Sequence, residues 1–203
     1  MKHRHEKPAR NIPRRGLPMA LALLLALPAI AQAATQERPD DSLRAHLTKA
    51  ISESDSFEDR FAAEVWLLDM SNRLKSRVPD DAERLSLLKN IHYEASKAGL
   101  APELVLAVIH VESNFNRWAI SSAGAQGLMQ IMPFWLKEIP EAGDNLFDMR
   151  TNLRFGCTIL KHYLDKEKGD FTRALARYNG SLGKTWYPNL VFAALRKRWY
   201  KAR

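Results

Sequence analysis

The chain has 203 residues, 46% of them hydrophobic and 27% charged, which is the balance of a soluble protein with one globular domain and an appendage. The net charge is +8, but residues 1–33 hold six basic residues and one acidic one, so the remainder carries only +3. That mild excess suits an anionic partner and does not demand nucleic acid, and the single cysteine, Cys157, excludes an internal disulfide.

In chain order, residues 1–33 read as an export signal. A basic stretch ends at Arg14-Arg15, an apolar run follows from Leu17 to Ile30, and Ala31-Gln32-Ala33 offers small residues for cleavage after Ala33. The run is short for a membrane span, and Pro28 and Gln32 interrupt it, so no stable membrane anchor is expected after cleavage. The exported protein is expected in the periplasm. Residues 34–42 are polar and read as a linker.

From there the pattern is helical, with no convincing strand alternation. Phe57 to Arg77 places Phe61, Val65 and Leu68 at helical spacing and stops before Pro79. Asp80 with Glu83 forms a capping-box pattern opening a helix to about Ala98, with Gly99 as its stop. Pro102 suits the first turn of the next helix, which is almost wholly apolar from Leu104 to Val111 and ends on Glu112. Val105, Val108, Ile109 and Glu112 fall at i, i+3, i+4 and i+7, so the carboxylate continues an apolar stripe. Burial disfavours the charged form and raises a carboxyl pKa, and an acid still protonated near neutrality is what general-acid catalysis needs. Phe115 to Gly127 reads as a loop or small hairpin. Further helices are predicted over Asn152–Lys168, Phe171–Tyr178 and Asn189–Trp199. Cys157, among Phe155, Ile159 and Leu160, reads as a small buried apolar residue.

Four pieces occur in order: Glu112-Ser113, then Gly127-Leu-Met-Gln-Ile-Met-Pro133, then Asn145 to Tyr163, then Arg177-Tyr178-Asn179-Gly180. Together they resemble the catalytic domain of the soluble lytic transglycosylases, a branch of the lysozyme superfamily, over Ile91 to about Arg198. The fold class that follows is mainly α: a lysozyme-like helical catalytic domain (residues 91–203) with at most a small β-hairpin, preceded by a helical extension over residues 43–90. That extension carries no recognised motif and could pack on the catalytic domain or recruit a protein partner.

The resemblance implies that Glu112 is the sole catalytic carboxylate and that the substrate is the glycan strand of peptidoglycan. Glu112 would protonate the oxygen of the β-1,4 bond between N-acetylmuramic acid and N-acetylglucosamine. It would then take back a proton from the muramyl C6 hydroxyl as that oxygen closes on C1, leaving a 1,6-anhydro end. An ordinary glycosidase needs two carboxylates, whereas a substrate that supplies its own nucleophile needs one. Ser113, Ser121, Gly127, Gln130, Met132, Tyr178 and Asn179 are the implied substrate-binding residues. Gln130 can both donate to and accept from acetamido groups, Gly127 would let backbone approach the glycan, and the Tyr178 phenol would bond Glu112 or the sugar. One of Met129 and Met132 is expected to be core.

Asp144 and Asp148, the nearest second carboxylates, read as a turn and an N-cap. Arg177, and Trp186-Tyr187-Pro188 near the end of the domain, depart from the family's usual residues. His110-Val-Glu112 superficially matches a zinc-deaminase pattern, but the later Cys-x-x-Cys is missing, so neither metal nor cofactor is expected. The basic, aromatic tail Arg196–Arg203 reads as a solvated helix end, and nucleic acid is not an expected partner. The competing functions are a lysozyme-type hydrolase on the same fold and a peptidoglycan-binding or assembly protein that no longer turns over.

Overall fold

The computed structural model describes residues 60–138 and 145–200. The export signal, the linker, residues 43–59, Asp144 and the last three residues of the tail lie outside the described residues. The described helices are α1 (Arg60–Leu74), α2 (Asp81–Lys97), α3 (Pro102–Glu112), the short α4 (Trp135–Glu138), α5 (Met149–Lys166), α6 (Phe171–Tyr178) and α7 (Trp186–Ala194). A π-helical turn, Leu195–Trp199, continues α7. Between α3 and α4 the chain forms turns with two antiparallel bridges, Ile120 with Gln126 and Gln126 with Ile131, and no longer strand among the described residues. The architecture is therefore mainly α, as the periodicity predicts.

The helix limits follow from local chemistry. Asp80 accepts a bond from the Glu83 backbone N–H and starts α2. At the other end Leu100 donates to the Ala95 carbonyl and Gly99 to that of Ser96, with Gly99 at φ +70°, so α2 stops in a left-handed cap. Pro102 occupies the first turn of α3, where its missing N–H costs nothing. Asp148 and Asp170 cap α5 and α6 through Thr151 and Arg173. Because Asp148 caps it, α5 starts at Met149, before the predicted Asn152. The last helix likewise starts at Trp186, with Pro188 accommodated in its first turn.

α3 is the centre of the molecule. Leu104 to Ile109 are six consecutive buried residues, so the helix is enclosed on all sides and not only along one stripe. α2, α7 and the π-turn pack around it, α1 lies on α2 and reaches the π-turn, and α5 and α6 complete the bundle. One hydrophobic core runs through all of these elements, from Leu67 on α1 to Trp199 on the π-turn.

Two expectations about the extension are revised. The face that α1 buries carries Ala63, Leu67, Met70 and Leu74, while Phe61 and Val65 are exposed; the spacing i, i+4, i+7, i+11 is the longer apolar stripe and it wins. The division between residues 90 and 91 also falls inside α2, which runs unbroken from Asp81 to Lys97. Arg84, fully buried on α2, ties the two helices. Its guanidinium donates to Ser71 Oγ at 2.9 Å, to the carbonyls of Val78 and Pro79 at 2.7 and 2.9 Å, and to the Asp81 carboxylate. A buried guanidinium is tolerable only when its donors are satisfied this fully.

Candidate active site

Glu112 is the last residue of α3, at the edge where the enclosed helix meets a partly open surface. Two features favour its neutral form. The surrounding apolar residues withdraw water from the carboxyl, and the helix C-terminus places partial negative charge beside it. Burial pushes its pKa up to about 7, opposed by one hydrogen bond that favours the carboxylate. That bond comes from Tyr187, whose hydroxyl donates to Glu112 Oε1 at 2.5 Å across 75 residues of sequence. Tyr187 lies on α7 and is buried, and burial holds its phenol well above the usual tyrosine range, so it acts as a neutral donor.

Of the two partners expected for the Tyr178 phenol, Glu112 is not the one it bonds. The Tyr178 hydroxyl donates to the Met129 backbone carbonyl at 2.8 Å, and Tyr187, within a tripeptide that read as a departure from the family, takes the bond to Glu112. Tyr178 remains close enough for the Glu112 charge to raise its pKa, after the larger effect of burial. The contact to Tyr187 has no local signature: it exists only because α7 packs on α3.

Beside the acid, the Gly127–Gln130 strip is held from several sides. Ser113 Oγ donates to the Leu128 carbonyl at 2.8 Å and to that of Ile109 at 3.3 Å, joining the end of α3 to the strip. Asn152, buried on α5, accepts from Met129 N at 2.8 Å and donates to the carbonyls of Gln126 and Leu146 at 2.9 and 2.8 Å. The apolar periodicity of α5 gave no sign of this residue. Gly127 is buried at φ +76°, and a Cβ there would meet Asn152 Nδ2 at 2.3 Å and the Leu146 carbonyl at 2.5 Å. Its missing side chain thus serves close packing on α5, a different reason from the approach to a glycan that the sequence suggested.

Gln130, at φ +52°, donates through Nε2 to the carbonyls of Gly127 and Ala119 at 2.9 and 3.2 Å. Ser121 accepts from Ala125 N at 3.0 Å and closes the 121–125 loop, which the Ile120–Gln126 bridge joins to the strip. Met129 is fully buried against Gly156, where a Cβ would come within 2.2 Å of its sulfur, so Met129 is the core methionine and Met132 remains partly exposed. Asn179 ends α6, partly exposed, beside Tyr178. Asp148 is the N-cap of α5, and the Thr151 backbone N–H holds its carboxyl below the usual range. Arg177 bonds Glu167, which Arg173 also reaches, so its departure from the family pattern serves an ion pair on the α5–α6 connection.

The turn after the acid has an unusual backbone. Asn114 and Phe115 both have positive φ, at 48° and 69°. For residues other than glycine each such conformation costs about 1–2 kcal/mol and persists only where the surroundings over-determine it. Phe115 is buried against Trp199 with ring centroids 5.3 Å apart, and Asn114 Oδ1 accepts from Arg77 Nε at 2.7 Å.

A family model described as the transglycosylase SLT domain matches residues 89–190, half of the chain. Among curated relatives, a transglycosylase of Enterobacteria phage PRD1 is 36% identical over 86 residues, which cover 42% of this chain and 31% of that protein. Membrane-bound lytic murein transglycosylase C of Photorhabdus laumondii is 29% identical over 109 residues, covering 46% of this chain and 30% of that protein. The chain thus spans about a third of the length of these relatives. Among solved structures, an inactive mutant of lytic transglycosylase Slt from Pseudomonas aeruginosa aligns over 75% of this chain and 29% of that one, with 22% identity and a TM-score of 0.45.

Proposed function

Because this chain belongs to the transglycosylase SLT family, we propose that it is a peptidoglycan lytic transglycosylase with Glu112 as its single acid and base. The observation that carries this reading is the state of Glu112: a carboxyl largely withdrawn from water, with a pKa of about 7, next to Ser113, whose hydroxyl ties the end of α3 to the Gly127–Gln130 segment. Such a group still holds its proton at neutral pH and can give it to a glycosidic oxygen. As the C1–O bond of the muramyl residue breaks, positive charge develops at C1. The muramyl C6 oxygen closes on C1, its proton passes to the Glu112 carboxylate, and the residue returns to its starting state. No water is consumed. The Tyr187 hydroxyl, donating to the carboxylate form, supports the moment when Glu112 is ionised.

The glycan would lie against the Ser121 loop and the partly exposed Gln130 and Met132, which the buried Gly127–Met129 segment positions, with the Ser113, Tyr178 and Asn179 side chains around them. The basic and apolar composition of residues 1–33 supports export to the periplasm, where the substrate is. No helix among the described residues is long and apolar enough to cross a membrane.

The test is digestion of purified sacculi with product masses. The expected soluble products carry 1,6-anhydro-muramic acid, one water lighter than hydrolysed ones, and Glu112→Gln releases none while still binding sacculi. Reducing-end muramic acid from the native protein would identify a hydrolase instead. Binding without release by the native protein would identify a non-catalytic one.

A further inference from the structure

The segments that flank the family's matched region converge on the back of the proposed acid. Arg77, between α1 and α2, points its guanidinium at the end of α3: Nε donates to Asn114 Oδ1 at 2.7 Å and an Nη to His110 Nε2 at 3.0 Å. From the other end of the chain, the π-turn brings in Trp199, which is wholly buried. Its ring lies 5.8 Å from His110 and 5.3 Å from Phe115, both edge-on. Arg73 on α1 donates to the Arg198 carbonyl at 2.7 Å and so fastens the π-turn to the same helix that leads to Arg77. A π-turn holds an extra residue relative to an α-helical one, and here it delivers the indole inward after the more regular α7. Arg77 and Trp199 both lie outside residues 89–190.

We propose that Arg77 and Trp199 are positioning residues for Glu112: together they lock the left-handed Asn114–Phe115 turn and thereby fix the end of α3 from which the carboxyl projects. The inference rests on the reading of Glu112 as the acid. Physically, a strained two-residue turn relaxes when its clamps are removed, and the residue two places before it moves with it. Neither clamp contacts the polar strip through any of the bonds described above, so removing one should leave sugar binding in place. A displacement of about 1 Å at a reacting group is enough to cost about a hundredfold in rate.

Arg77→Ala removes the donor, and Asn114→Ala removes the acceptor while keeping the cost of positive φ that the clamp must hold. Both are compared with wild type and with Glu112→Gln on solubilised peptidoglycan strands. The expected result is a fall of about ten- to a hundredfold in kcat for each, with KM within about twofold. The double variant should be no worse than Arg77→Ala alone, which already removes this bond together with the one to His110. Arg77→Lys, which can restore one donor, should recover part of the loss, and Trp199→Phe, which keeps a ring against Phe115, should retain most turnover. If Arg77→Ala does not fold, Asn114→Ala decides alone. Wild-type kcat in a folded Asn114→Ala, or a raised KM with kcat unchanged, overturns the proposal. If Glu112→Gln is dead while Asn114→Ala matches wild type, only this inference fails. If Glu112→Gln turns over normally, the reading of the acid fails first.

Discussion

At the scale of single residues, the state of Glu112 is a balance of two opposed effects, and the smaller one is open to substitution. Burial raises its pKa, and the Tyr187 hydroxyl lowers it by bonding the ionised form. Tyr187→Phe keeps the ring and removes only the bond. A general acid works while protonated, so turnover should fall as pH rises through its pKa, near 7 in the native protein. Without the phenol the carboxylate loses a stabilising donor, and the midpoint of that fall should move to higher pH. The pH dependence of kcat/KM for the two proteins measures this directly, and a shift to lower pH would mean that the phenol stabilises the protonated form instead. The partial burial of Glu112 was legible in the sequence because the residue closes an apolar run. Tyr187 was not, because a contact spanning 75 residues depends on how two helices pack and leaves no periodic trace in either. That one of Met129 and Met132 is core was expected, but which one, and the close packing of Gly127 on Asn152, depend on α5 and could not be read locally.

At the scale of elements, α5 organises the strip beside the acid. Its Asn152 satisfies one backbone donor and two acceptors from residues 126–146, in a place water does not reach. Asn152→Ala would leave the Met129 N–H and the Leu146 carbonyl without the bonds described and open a small void, while the Gln126 carbonyl keeps its bond from Ile131 N. At about 1–3 kcal/mol for each unsatisfied buried group, the variant should lose at least about 2 kcal/mol of stability in denaturant unfolding. Stability within about 1 kcal/mol of wild type would show that other groups hold the strip. The existence of every described helix except the short α4 was legible, since capping aspartates, Pro102 and Gly99 punctuate the chain with residues whose chemistry is local. The buried face of α1 and the π-turn after α7 were not, because which of several apolar spacings faces inward is decided by the neighbouring element.

At the scale of the whole molecule, residues 60–200 belong to one compact unit, so the region that carries the family motifs is not self-sufficient. Leu67, Met70 and Leu74 on α1, Leu85, Leu87 and Leu88 on the first half of α2, and Trp199 all sit in the common core. A fragment of residues 89–190 would expose the partners of these side chains and lose the Arg84 and Arg77 bonds. Burial of each large apolar side chain contributes about 1.5–3 kcal/mol, and the whole margin of a domain is about 5–15 kcal/mol. The fragment should therefore show no cooperative unfolding transition, by near-ultraviolet circular dichroism on heating, whereas residues 43–203 should. The sequence marked residues 43–90 as a separate extension because no motif reached into them; motifs report chemistry, while the core they stand on is written in ordinary leucines. The pairing of Glu112 with Tyr187 then has a consequence for biosynthesis. Glu112 and the residue that tunes it are made far apart in time, and in a nascent polypeptide halted before α7 docks the carboxyl lacks both the Tyr187 hydroxyl and the packing of α7 on α3. The setting of this carboxyl is complete only once a helix 75 residues downstream has folded back onto it.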